Sequence, residues 1–160
     1  MDTDVAITVN SCKLCKQYKH QKSPQRPTGH LMTRYPFDKI AMDVTGPFKT
    51  TKAHNRYILG IVDHFSKYAV LVPLRSIDSD SIIEALFSRW ISIFGTPNSV
   101  HSDRGSNLNS YQILKICEAL KIKKTKSTPY FPQGDGVIER MFTTIKPMLG
   151  IVITSVENGI

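Results

Sequence analysis

From Phe37 onward the apolar positions fall into short runs that alternate in period. The segments FDKIAMDV (37–44), RYILGIVD (56–63) and KYAVLVPL (67–74) read as three strands. The first is closed by Gly46 and Pro47. Only the turn DHFS separates the second from the third, and strands joined so tightly run antiparallel. The period then lengthens. In SDSIIEALFSRWISIFG (79–95), Ile82, Ile83, Leu86, Trp90, Ile93 and Phe94 form one helical stripe, with Ser79 or Asp80 as N-cap and Gly95-Thr96-Pro97 as the stop.

Further along, NSVHSD (98–103) predicts a short strand, SYQILKICEAL (110–120) a helix, and KIKKTKST (121–128) a strand whose lysines suit a sheet edge. PYFPQGDG (129–136), with two prolines and two glycines, predicts a loop. VIERMFTTIKPML (137–149) predicts a last helix, which Pro147 should end or kink. Three strands, helix, strand, helix, strand, helix is a mixed-sheet α/β pattern. Residues 1–36 are poorer in apolar residues, and Pro24, Pro27, Gly29 and Pro36 break any long element there. No internal repeat is visible.

Charge adds a partner class. The 160 residues carry 21 Lys and Arg against 13 Asp and Glu, a net charge of +8. Between Val5 and Phe37 there is no acid, while Lys13, Lys16, Lys19, Lys22, Arg26 and Arg34 supply six positive charges; Lys121, Lys123, Lys124 and Lys126 form a second cluster. Such stripes suit a polyanion and equally suit a solvated basic face. No run of apolar residues approaches the roughly 20 needed to span a membrane, and the acidic start MDTDVAITV is unlike a secretory signal. Three cysteines without a signal argue against a disulfide scaffold. Cys117, on a helical apolar position, reads as structural, whereas Cys12-Lys-Leu-Cys15 is half of a tetrahedral zinc site.

Three acids stand out. Asp43 interrupts the apolar strand Ile40 to Val44, where a carboxylate must be paired or bind a cation. Asp103 ends NSVHSD just before Arg104-Gly105, and Glu139 lies in the first turn of the last helix. Strand ends lying side by side and a helix packed on the sheet can bring all three together. Carboxylates so gathered call for Mg²⁺ or Mn²⁺, and two such ions clamp the attacking and leaving oxygens of a phosphoryl transfer. Singly, each acid has a plainer reading: Asp43 as a turn cap before Thr45-Gly46, Asp103 as an Asx-turn residue before Gly105, Glu139 as a helix-start acid. Asp63 could add a fourth ligand, although Ser66 and the short turn favour a hairpin role.

The surrounding words decide between these readings. MDVTGPF, VDHFSKYAVLVPL, FGTPNSVHSDRGS and STPYFPQGDGVIER, in that order, closely resemble the catalytic core of retroviral and gypsy-type long-terminal-repeat retrotransposon integrases, and the 35 residues between Asp103 and Glu139 match that family's D-x35-E spacing. The resemblance covers roughly residues 10 to 149. It implies an RNase H-like fold, a five-stranded mixed sheet flanked by helices, with Asp43, Asp103 and Glu139 as catalytic residues holding two Mg²⁺ or Mn²⁺ ions. It implies 3′ processing of element DNA followed by strand transfer into target DNA, with element ends and target as DNA partners, a homo-oligomer formed through the core, and a nuclear site of action reached from the cytoplasm.

In the resembling family a lysine at Lys146 contacts DNA; a solvated lysine is the alternative. Asp135 falls where the family often meets viral DNA, Gln133 shares its loop, and Tyr130 could stack on a base or pack on Pro132. Lys13, Lys16, Lys19 and Lys22 are the basic-arm candidates. The family carries a His pair upstream of the CxxC knuckle. Here none precedes Cys12, and His20 and His30 lie downstream, so Cys12 and Cys15 give the chain alone a poor hold on Zn²⁺. The division expected is 1–36, a basic arm with a zinc-domain remnant; 37–150, the catalytic core; and 151–160, a tail of no assigned role. The missing His pair and two further departures support an alternative, a truncated or host-retained non-catalytic nucleic-acid-binding module. Phe142 replaces a polar DNA-side Asn, though it could pack inward, and IVITSVENGI resembles neither the family's further helices nor its C-terminal module.

Overall fold

A computed structural model describes residues 35–103, 105–126 and 140–145, together with residues 3, 5, 7, 11, 33 and 147. The chain separates into two compact units, Thr28–Arg140 and Met1–Pro27 with Met141–Ile160. In the second unit, residues 3, 5, 7 and 11 are helical, as are 141–145 and Pro147. Phe142 is buried, the inward alternative for that side chain. No described helix is long and apolar enough to cross a membrane.

The larger unit is built on five strands, β1 (Lys39–Thr45), β2 (Tyr57–Asp63), β3 (Ala69–Leu74), β4 (Ser99–Ser102) and β5 (Lys123–Lys126). They lie in the order β3-β2-β1-β4-β5, with β1–β2 and β2–β3 antiparallel and β1–β4 and β4–β5 parallel. This is the mixed sheet the sequence implies, and the lysine-rich β5 is at its edge. Helix α1 (Ser79–Leu86) continues through a π-helical turn (Phe87–Ile91) into α2 (Ser92–Phe94); α3 (Tyr111–Ala119) joins β4 to β5.

One sheet face carries Ile40, Met42, Leu59, Ile61, Val72, Leu74 and Val100, which form a single core with Ile82, Ala85, Leu86 and Trp90 of the first helical segment and Ile113 and Cys117 of α3. Burying this apolar surface is the main favourable term for the unit. Cys117 is a core residue, as its helical position suggests.

The first helical segment departs from a plain 3.6-residue reading in two ways. Its cap is Asp78, not Ser79 or Asp80: the Asp78 Oδ1 accepts from the Ser81 amide at 2.8 Å. Ser79 instead donates its hydroxyl to Ser110, the cap of α3, at 2.7 Å. The π turn then inserts extra arc, so that Trp90 is fully buried while Ile93 is 64% exposed. Phe94 stacks on Phe37 with ring centroids 4.6 Å apart, and Gly95, at φ 81°, closes the segment where expected.

Candidate active site

The site begins with register. Lys39 to Met42 of β1 pair in parallel with Ser99 to Ser102 of β4. That register is pinned at its start, where the Ser99 amide donates to the Asp38 carbonyl at 3.1 Å and Asn98 Nδ2 donates to the Asp38 carboxylate at 2.6 Å. The next residues after the Met42–Ser102 pair are Asp43 and Asp103. Parallel strands lie about 4.8 Å apart and side chains alternate between faces. Carried one residue past the end of β4, that alternation puts Asp43 and Asp103 on the face opposite Met42 and Ser102. A slip of one residue would turn one of them into the core.

Each carboxylate is held by its own backbone. Asp43 Oδ1 accepts from the Val44 amide at 2.8 Å, and the strand continues through Thr45, so Asp43 is not a turn cap. Its partner on β2 is Gly60, which brings no side chain against it. Asp103 Oδ1 accepts from the Gly105 amide at 2.9 Å, which is the Asx turn its position before glycine suggests. A Cβ on Gly105 would lie 2.9 Å from that same oxygen, so glycine is needed to leave the carboxylate in place. Asn109 ties the turn from outside, donating Nδ2 to the carbonyls of Asp103 at 2.9 Å and Gly105 at 2.8 Å. For Asp103 the plainer reading holds, and the same turn fixes where its carboxylate lies.

Asp63 is different. It is 0% exposed and sits on the core face, opposite Ile40 at the far end of β1. Its carboxylate accepts from the Phe37 amide at 3.1 Å and from the amide and hydroxyl of Ser66 at 2.8 and 2.6 Å. Burial alone would raise its pKa, but the hydroxyl of Ser66 and the amides of Ser66, Phe65 and Phe37 hold it below the ordinary value. Asp63 closes the β2–β3 hairpin and is no ligand to the Asp43–Asp103 pair.

Two histidines, His64 and His101, are buried, with ring centroids 6.4 Å apart and edge to face. His101 Nδ1 lies 2.9 Å from the Thr125 hydroxyl. Burial, with repulsion from Lys39, Lys67 and His101, pushes the His64 pKa down to about 4.

Glu139, the third carboxylate expected, lies outside the described residues, as do Lys146, Tyr130, Gln133, Asp135, Cys12, Cys15, Lys13, Lys16, Lys19 and Lys22. Among the described residues no group of three or more His, Cys, Asp or Glu is gathered for a metal. Asp43, with Gly60 opposite it on β2, and Asp103, the residue after β4, are oxygen donors of the kind a hard divalent ion takes. Sequence reasoning missed Asn109 and Asp78. Asn109 carries no signal beyond its distance from Gly105, and Asp78 competed with two other good caps.

Residues 34–132, more than half of the chain, match the integrase core domain family. The chain is 29% identical over 150 residues to a Pro-Pol polyprotein of feline foamy virus, and 27% identical over 119 residues to a retrovirus-related Pol polyprotein from transposon 412 of Drosophila melanogaster. Those alignments cover 93% and 74% of this chain but only 13% and 10% of the relatives, so the chain spans about a tenth of their length. Its fold is similar to a chain of the simian T-cell lymphotropic virus intasome in complex with a PP2A B56 gamma subunit, with TM-score 0.68, 25% identity, 99% of this chain and 55% of that one covered. It is also similar to the HTLV-2 integrase catalytic core domain in complex with magnesium, with TM-score 0.59, 24% identity, 77% and 76% covered. With the five-stranded mixed sheet of that fold, this chain belongs to the integrase core domain family and is retroviral-integrase-like.

Proposed function

We propose that the chain is the catalytic core of a polynucleotidyl transferase encoded by a long-terminal-repeat element, acting on DNA with Asp43, Asp103 and Glu139 as its acidic triad. The observation that carries this reading is the parallel β1–β4 register, whose last pair, Met42 and Ser102, is followed by Asp43 on β1 and by Asp103 just past the end of β4. A magnesium-bound core with the same fold supports the choice of Mg²⁺ or Mn²⁺. Bound there, divalent ions would neutralise the carboxylates, activate an attacking oxygen and stabilise charge on the phosphate.

The chain's own residues would supply position. Gly105 and Asn109 fix the Asp103 carboxylate through its turn, and Gly60 keeps the β2 side of Asp43 open. Lys146, with Tyr130, Gln133 and Asp135 of the preceding loop, would hold the DNA end, and Lys13, Lys16, Lys19 and Lys22 would hold phosphates further out. In the first reaction water breaks a phosphodiester near the element's 3′ end. In the second the freed 3′ hydroxyl attacks a target phosphorus and the target's own 3′ oxygen leaves, so the number of phosphodiester bonds is conserved. No covalent protein intermediate is formed. Work on chromosomal DNA would place the protein in the nucleus, and joining two ends at a fixed separation would need a multimer.

The test is a reversal assay on preformed branched DNA with Mn²⁺, run beside concerted joining of two ends. Reversal by the wild-type chain that disappears in Glu139→Gln, with little concerted joining, is the expected result. DNA binding without reversal would instead describe a binding module.

A further inference from the structure

Lys124 is a lysine in an unusual place. On β5 it pairs with Val100 of β4, and its side chain shares the core face of the sheet with Val100 and Ser102. It lines a small pocket with Met42, Leu108, Ile113 and Cys117. An ammonium there must find an acceptor, because an unpaired charge among apolar groups is costly. Its acceptor is Ser102 Oγ. The Ser102 hydroxyl in turn donates to the Asp103 carbonyl at 3.0 Å, the same oxygen that accepts from Asn109. Ser102 is fully buried. A continuous chain of hydrogen bonds thus runs from β5, beneath the end of β4, to the backbone of Asp103.

We propose that Lys124 is a positioning residue for the proposed metal site: by anchoring Ser102 it fixes the end of β4, and so the Asp103 carboxylate, from the opposite face of the sheet. The inference rests on the reading of Asp43 and Asp103 as metal ligands. Burial brings the Lys124 ammonium down to about 8, against the pull of the neighbouring Cys117 and Asp103. Groups that orient metal ligands from behind commonly change metal affinity by roughly 10- to 100-fold when removed. Met in place of Lys124 would keep the length of the side chain and improve its match to the pocket.

The experiment is a set of thermal melts of the 160-residue chain titrated with Mg²⁺ and with Mn²⁺, for wild type, Lys124→Met, Lys124→Gln, Ser102→Ala, the Ser102→Ala/Lys124→Met double variant and Asp103→Asn. Without metal, Lys124→Met should melt at or above the wild-type temperature. Its half-saturating metal concentration should rise about tenfold. Ser102→Ala should do the same and the double variant no worse than the poorer single, because the two act in one chain. Lys124→Gln, which keeps a donor, should lie between wild type and Lys124→Met. An unchanged or tighter metal response in both Lys124 variants overturns the proposal, as do multiplying effects in the double variant. Asp103→Asn separates the two levels: a wild-type metal response there sinks the metal-site reading and this inference with it, whereas a lost response beside unchanged Lys124 variants sinks this inference alone.

Discussion

Asp63 and Asp103 both sit at strand ends, and the sheet treats them in opposite ways. Asp63 turns into the core and is satisfied by Ser66 and two backbone amides. Asp103 turns to the other face and uses one oxygen to accept from Gly105. In sequence the two look alike; the difference is the parity of their register with β1, which the apolar pattern fixes only once both strands are placed. The same logic predicts that Asp43→Asn and Asp103→Asn each abolish most of the thermal stabilisation by Mn²⁺, while Asp63→Asn lowers metal-free stability and leaves the Mn²⁺ response intact. An equal Mn²⁺ response in wild type and Asp103→Asn would refute that assignment.

His64 gives a pH dependence with a definite sign. Its folded pKa is depressed to about 4 from an ordinary 6.5, so the unfolded chain takes up a proton that the folded chain refuses. Stability from this residue is intact above pH 6.5, falls as pH drops towards 4, and levels off below. Between pH 7.5 and 5 wild type should lose about 2 kcal/mol more than His64→Gln, by two-state denaturant melts at each pH. Parallel curves for the two proteins would show that His64 is not held neutral.

At the level of elements, all five strands were legible, because short apolar runs between turn signals leave few alternatives. The first helical segment was legible in extent but not in detail. A 3.6-residue stripe assigns Ile93 to the core, and the π turn at Phe87–Ile91 rotates it out while keeping Trp90 and Phe94 in. No sequence period signals such a turn. Ile93→Asn should therefore change stability by less than about 0.5 kcal/mol, whereas Trp90→Ala should cost about 3–5 kcal/mol. Comparable losses would restore the unbroken stripe. The cap of α3 offers a finer check: Ser110 accepts from the Ile113 amide and from Ser79, and Ser110→Ala should cost about 1 kcal/mol in a chemical melt.

Over the whole molecule, charge and fold answer different questions. The net charge of +8 and the acid-free stretch between Val5 and Phe37 argue for a polyanion but not for a reaction. Deleting residues 1–36 should weaken DNA binding and flatten its dependence on salt, since neutralised phosphates set that slope; unchanged affinity and slope would refute the basic-arm contribution. The family was legible from MDVTGPF, HSDRGSNLNS and the spacing to Glu139, not from composition. What those words withhold is how Asp103 is aimed: Gly105, Asn109, Ser102 and Lys124 converge on it from three different elements, and only folding brings them together. The central claim is that Asp43 and Asp103 jointly hold a divalent ion. Anomalous diffraction from crystals soaked in Mn²⁺ measures that directly. A peak about 2 Å from a carboxylate oxygen of each aspartate is the predicted result; a bound Mn²⁺ that touches neither, at full occupancy elsewhere on the core, would contradict it.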